Sequence, residues 1–506
     1  MSESTVLLPR RIVPRWRDFE TTAQLGELGG IRAKIDPLEH ESDFESVIRN
    51  WRQLRTNATA GDLLAAAAAD NRPELVVEAA EFLLRKQSDA PSLTKAVAKS
   101  LLESILDDPS KKEVSHPSHF NPTFISRIRK SLRAYPRNAL GWVDLALAFT
   151  TIGKNLDAER AIVVALSLAP DDRFVLRSAA RFFVHIGDVK RALSILSRAP
   201  RTPFDSWLLA AQLAVSSILD RPSNFHKQAK VLCASDNIQP FHKSELGAAL
   251  GTVEVFSGSD KQARRFFEKS LTDPTENALA QALWAKNHLT LTQAPNLVNV
   301  SRSYEANART LMQVGNWKQA FAASESWLED EPFSGRPAAL GSFIATTVLR
   351  DEELAIRILT RALPANPFDP VIVNNLAFSY ASSGKVELAH KFLSRLTVSE
   401  LDIANKIMLT ATEGLIEFRE GHTAEGRLKY GEAIDLAIEN DLPRSRAVAM
   451  IYLAREEDRI ASVEAEATRA EAVRLAKQFT DVTFQMAFSL LPDAKIVIEP
   501  PSATLM

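Results

Sequence analysis

The sequence predicts an all-α protein: a right-handed α-solenoid of helix–turn–helix repeats, with a short extended N-terminal arm and a small C-terminal β-hairpin. Three observations predict it. First, one pattern occurs twice between Ala139 and Pro200: Trp142, Leu145, Ala146, Phe149, Gly153, Ala158, Ile162 and Ala165 return as Leu176, Ala179, Ala180, Phe183, Gly187, Ala192, Leu196 and Ala199, each 34 positions later. Second, glycine is sparse, 18 of 506 residues, while 45% of the chain is apolar, which suits packed helices. Third, the apolar period changes to two near the C-terminus, where Val482, Phe484, Met486, Phe488 and Leu490 alternate with smaller or polar residues.

The elements follow in chain order. Residues 1–38 form an extended arm, with β-prone pieces Thr5–Leu8 and Arg11–Val13 split by Pro9 and closed by Pro14. Its segment Pro9–Arg17 places Arg10, Arg11, Arg15 and Arg17 around Trp16. We read it as an arm lying on the solenoid with Trp16 as its anchor. The alternative is a basic, aromatic arm that contacts an acidic partner or a nucleic-acid backbone. Residues 39–122 hold degenerate helical repeats: Phe44, Val47, Ile48, Trp51 and Leu54 recur at helical spacing. A Pro-rich loop closes them, containing His116 and His119 on either side of Pro117, a spacing that does not assemble a metal site.

Residues 123–292 make a first lobe. It opens with a helix over 123–134 carrying Arg127, Arg129, Lys130 and Arg133, in part a solvated face, and continues through the two well-formed copies. In these copies the small Ala146 and Ala180 let paired helices approach, the turn glycines permit a left-handed backbone, and Pro170 and Pro200 stop the second helices. After Trp284 the register slips. Too few residues separate it from the copy beginning near Ser301 for a full second helix, so a bend is expected at 290–300. A second lobe spans 293–440, with its best copy at Pro370–Leu396. Residues 441–480 read as capping helices, with a polar outer face from Glu456 to Lys477. Residues 481–506 read as the hairpin: strands at 482–490 and 495–499, with the N-terminal arm as a third strand in cis or from a second copy.

The 34-residue pattern resembles the tetratricopeptide repeat (TPR) family. The resemblance implies a superhelix whose concave side is lined by first helices and holds extended peptides or helices. Carried onto this sequence, it gives candidate groove residues Arg177, Arg181, Arg302, Arg309, Asn374 and Phe378. The first four offer charge for an acidic or carboxylate-bearing ligand, and Asn374 offers hydrogen bonds to a peptide backbone. The family's terminal-carboxylate grip, Lys and Asn on successive first helices, is not reproduced.

Composition and motifs narrow the function. The net charge of −2 lacks the overall basic field of a nucleic-acid coat. The single cysteine, Cys233, cannot form an intramolecular disulfide and fits a reducing cytoplasm. Met1–Arg17 has no apolar core of signal-peptide length, and the longest apolar runs are too short to span a bilayer. There is no phosphate loop, dinucleotide turn, His-Glu-x-x-His or Gly-x-Ser-x-Gly. His185, His390 and His422 read as structural. The expectation is a cytoplasmic, non-enzymatic scaffold or adaptor without cofactor, metal or membrane association. It would bind a partner protein or peptide in its groove and could self-associate through its terminal segments. Two alternatives stand beside it: a regulatory or sensor subunit of a multi-protein bacterial-type complex, for example in defence or signalling, whose enzyme is another chain; and nucleic-acid binding through the arm and the 123–134 helix.

Overall fold

The computed structural model describes Trp16 and residues 43–69, 72–85, 88–90, 94–95, 98–99, 102, 122–235, 238–291, 300–397 and 401–492. These residues fall into two compact units. The smaller contains α1 (Asp43–Gln53), α2 (Asn57–Ala69) and α3 (Pro73–Leu83). Pro73 opens α3, where its fixed φ suits the first turn and its missing N–H costs nothing. Trp51, Leu63, Ala80 and Leu83 form this unit's core. Trp51 meets Phe82 edge-on at 5.0 Å and donates from Nε1 to Glu78 at 3.1 Å.

The larger unit begins with α4 (Pro122–Ala134) and continues as antiparallel pairs. These are α5 (Ala139–Thr151) with α6 (Asn155–Leu168), α7 (Arg173–His185) with α8 (Val189–Arg198), α9 (Ser206–Ile218) with α10 (His226–Ala234), and α11 (Pro240–Phe256) with α12 (Asp260–Ser270). Then come α13 (Glu276–Ala285), α14 (Tyr304–Gln313) with α15 (Trp317–Asp330), α16 (Arg336–Ile344) with α17 (Glu352–Ala362), and α18 (Pro370–Ser382) with α19 (Val386–Leu393). The last elements are α20 (Ile403–Glu420) with α21 (Thr423–Glu439), α22 (Pro443–Arg459) with α23 (Ala465–Ala476), and α24 (Val482–Phe488).

The helix ends are written locally. Asn138, Asp172, Asp188, Thr275, Asp351 and Asp402 each accept a hydrogen bond from an orphan N–H of the first turn they precede. The turn inside a repeat needs one left-handed residue, which Gly153, Gly187, Gly258, Gly315 and Gly384 supply with φ between 72° and 84°. In the first of these turns, Lys154 N–H returns to the Phe149 carbonyl at 2.9 Å.

First helices form the inner layer. α7 buries ten consecutive residues, Phe174–Phe183, and α13 buries every residue it has. The outer α8 buries only Ala192 and Leu196 and turns a charged face to solvent. Close approach between layers requires missing side chains. A Cβ on Gly251 would lie 2.8 Å from the Phe267 ring, and one on Gly341 2.5 Å from Ile358 Cδ1.

Residues distant in sequence also meet inside this unit. Phe333, after α15, and Ala365, after α17, share one apolar cluster with α5, α7 and Trp16. A Cβ on Gly153 would sit 2.3 Å from the carbonyl oxygen of Pro364. Most of the expected 290–300 bend falls on 292–299, outside the described residues. On either side of it α13 packs directly on α14, so two first helices follow one another.

The C-terminal hairpin is not what forms. Val482–Phe488 is helical, capped by Asp481, whose carboxylate accepts from Phe484 N at 3.0 Å. The described residues contain no strand. The buried set Phe484, Met486, Ala487, Leu490 and Leu491 satisfies helical spacing as well as alternation does. A lone two-stranded hairpin leaves ladder groups unpaired, whereas a capped helix satisfies them internally. The expected 495–499 strand and the N-terminal strand pieces lie outside the described residues. The 441–480 region holds two helices, Pro443–Arg459 and Ala465–Ala476, separated at Ala461 with φ 49°. Its polar segment begins inward: Glu456 has no exposed surface and lies among Arg419, Arg455 and Arg459. No helix among the described residues is long and apolar enough to cross a membrane.

Candidate partner-binding cavity

Four inner helices, α16, α18, α20 and α22, line a cavity of about 220 Å³. Its wall is mainly apolar: Phe343, Phe378, Ile407, Met408, Val448 and Tyr452 all contribute. Phe378 and Tyr452 meet edge-on at 5.4 Å, and the Arg455 guanidinium lies 5.1 Å from the Phe378 ring and 5.2 Å from that of Tyr452. These contacts hold both rings in place from behind. After α16 the chain makes a π-helical turn, Ala345–Leu349, which sets Thr346 in the cavity wall. At the rim, Arg444 makes two hydrogen bonds to Asp481, at 2.6 and 2.9 Å.

Three amides stand in this apolar wall, Asn374, Asn375 and Asn405. Asn375 donates from Nδ2 to Ser342 Oγ at 3.2 Å. Asn374 is only 4% exposed, and its Oδ1 has no hydrogen-bond partner. A buried acceptor left unpaired costs about 1–3 kcal/mol. Near the cavity wall, burial holds the Glu352 carboxyl up at about 7, against the opposing pull of Arg455, the Ser379 hydrogen bond and Arg419.

The residues named from sequence separate into two sets. Asn374 and Phe378 both line the cavity. The arginines lie elsewhere and have internal partners. Arg177 is buried, donates to Glu245 at 2.9 Å and stacks 4.7 Å from the Trp207 ring. Arg181 is buried 4.7 Å from the Phe333 ring. Arg302 pairs with Asp330 at 3.4 Å. Arg309 donates to Glu305 at 3.3 Å, and Arg336 donates to the same carboxylate. Trp16 is buried between Phe182, 6.0 Å away, and Phe333, 5.2 Å away. Arg10, Arg11, Arg15 and Arg17 lie outside the described residues, as do His116 and His119. His390 pairs with Glu420 at 3.0 Å, while Glu417, Glu420 and His422 bring one ligand atom each within 4.8 Å of one another. Sequence reading missed Met408, Val448 and Tyr452. Their signal was the same first-helix position on α20 and α22, copies too loose in pattern to be aligned residue by residue.

Helix pairs repeating at the spacing of Gly153 and Gly187, with left-handed glycines between them and first helices inside, decide the architecture. The chain is a TPR-like solenoid. No family model matches it. The mouse interferon-induced protein with tetratricopeptide repeats 3 is 32% identical to it over 78 residues, 15% of this chain and 19% of that protein, so the TPR-like solenoid spans about a fifth of this relative's length. Among solved structures it is similar to the human IFIT1 dimer with PPP-AAAA, with a TM-score of 0.33, 11% identity, and coverage of 86% of this chain and 94% of that one. It is likewise similar to yeast Tom70, with a TM-score of 0.32, 16% identity, and coverage of 86% and 93%. For the Cut9–Hcn1 hetero-tetramer of the APC/C the TM-score is 0.34, at 10% identity and coverage of 88% and 92%.

Proposed function

We propose that this TPR-like solenoid is a non-catalytic interaction scaffold, and that it holds an apolar, extended segment of a partner protein in the cavity of α16, α18, α20 and α22. One observation carries the reading: Asn374, whose buried Oδ1 has no hydrogen-bond partner, stands in the wall of a mainly apolar cavity of about 220 Å³. An apolar hollow with a few amide and hydroxyl groups in its wall suits a large apolar side chain on an extended segment whose backbone those groups can bond. The internal pairing of Arg177, Arg309 and Arg302 moves the reading from an acidic ligand toward an apolar one. A cytoplasmic setting suits the one buried cysteine, Cys233.

The test is selection of displayed random peptides on the full chain, followed by affinity measurement against variants. Met408→Glu and Val448→Glu place charge in the cavity from half-buried positions and leave the core intact. Each is expected to weaken selected peptides at least about tenfold, the equivalent of roughly 1.4 kcal/mol. Asn374→Leu removes the acceptor and weakens them too, while Asn374→Asp keeps an acceptor and retains more affinity. Peptides that bind all four variants as tightly as the parent chain would overturn the reading.

A further inference from the structure

The chain as a whole is nearly neutral, yet its cations are not evenly spent. Several exposed or half-exposed arginines across the TPR-like array lie against carboxylates: Arg191 on Glu159, Arg357 on Glu325, Arg427 on Glu457, Arg469 on Asp458. Helix α4 is different. Between Pro122 and Asn138 there is no Asp or Glu, while Arg127, Arg129, Lys130, Arg133 and Arg137 are all exposed. None of the five makes an ion pair with another described residue. The opposite face of the helix is fixed: Ile125 and Leu132 are buried in the main core, with Phe124 and Ile128 packed beside them. The basic face is therefore held rigidly outward.

Ordinary helix energetics explain little of this. A cation in the last turn is favoured by the helix dipole, which accounts for Arg133. Arg127 sits in the N-terminal half, where the dipole opposes a cation. Arg129 and Arg133 are four apart on the same side, where like charges repel. The cluster works against the helix that carries it, and an anionic ligand removes that repulsion. Immediately beyond the helix, Tyr135 is 69% exposed with no aromatic neighbour among the described residues. A line of cations ending at an open aromatic ring matches a single-stranded backbone whose base stacks on the ring. Double-stranded nucleic acid or an acidic peptide would use the charges and leave the ring idle.

We propose that the basic face of α4, with Tyr135, is a binding site for single-stranded nucleic acid, contacted through its phosphates. This site shares no residue with the cavity, so it stands or falls apart from the scaffold reading. The experiment is fluorescence anisotropy of the full chain with a labelled single-stranded oligonucleotide of about 16 nucleotides. If all five cations meet phosphates, log K falls against log salt with a slope of about −3.5, or roughly 100-fold between about 50 and 200 mM. Arg127→Glu, Lys130→Glu and Arg133→Glu together, all on the exposed face, abolish binding with an unchanged circular dichroism spectrum. Tyr135→Ala weakens the single strand and leaves duplex affinity unchanged, and Tyr135→Phe restores it. No binding at low salt, or binding indifferent to the triple reversal, overturns the site. An acidic peptide or a duplex bound more tightly than the single strand overturns the assignment of the ligand.

Discussion

Two glycines at the same position of adjacent repeats separate backbone conformation from packing. Gly153 and Gly187 both hold a left-handed φ, 73° and 84°. Around Gly187 a Cβ would meet nothing within 4 Å, whereas at Gly153 it would lie 2.3 Å from Pro364 O. Gly187→Ala is expected to cost only the left-handed penalty, roughly 1–2 kcal/mol. Gly153→Ala should cost clearly more, because the clash is with backbone belonging to a distant part of the chain. Urea unfolding of the two variants measures the difference, and equal costs would mean that the 153 turn and the 364 loop do not touch in solution. At the same scale, Asn374 was legible as a groove amide, since its place in a first helix follows from the repeat register. That Oδ1 has no partner depends on which atoms surround it, and no register states that.

At the scale of an element, Trp16 is one residue that joins remote helices. It packs on Phe182 of α7 and on Phe333 beyond α15. Trp16→Ala is expected to cost about 3–5 kcal/mol, as for other buried tryptophans. Trp16→Phe should cost much less, because the indole N–H has no acceptor to lose. Thermal unfolding of the two variants checks the ranking, and Phe as damaging as Ala would show that the indole makes a bond the structure lacks. Helix α24 shows where element assignment fails from sequence. Seven residues alternating apolar and polar fit two periods, and the decision lay with Asp481, which caps the helix and binds Arg444. Asp481→Ala should therefore cost about 1–2 kcal/mol through the lost cap alone.

For the whole molecule, two buried groups set opposing responses to pH. His185 lies edge-on to Phe333 at 5.4 Å. Burial and the neighbouring Arg181 hold its pKa down at about 3, despite the opposing backbone hydrogen bond with Ala365. Below about pH 6.5 the unfolded chain gains a proton that the folded chain refuses, so His185 withdraws stability as pH falls, about 2 kcal/mol by pH 5. Glu352, held up at about 7, acts in the other direction. Between about 4.5 and 7 the folded form keeps a proton that the unfolded form loses, so stability falls as pH rises. His185→Gln should thus leave a chain that destabilises toward pH 7, and Glu352→Gln one that destabilises toward pH 5. Urea midpoints from pH 5 to 7 read both slopes, and parallel profiles in the two variants would refute the assignment.

The sequence by itself determined the repeat: its period, its turn glycines and the small residues between paired helices. All of these are local rules, read within one helical pair. It also placed Asn374 and Phe378 on one inner face, because residues four apart on a helix share a side. Only the tertiary structure decided what each charge on that face meets. Arg177 looked available until Glu245, 68 positions away, lay beside it. Ion pairing across the inner layer depends on the rise and rotation between repeats, and these accumulate from many small packing angles that no single repeat encodes. The same accumulation brings Gly153 to Pro364 and Trp16 to Phe333, contacts between segments that no shared period connects.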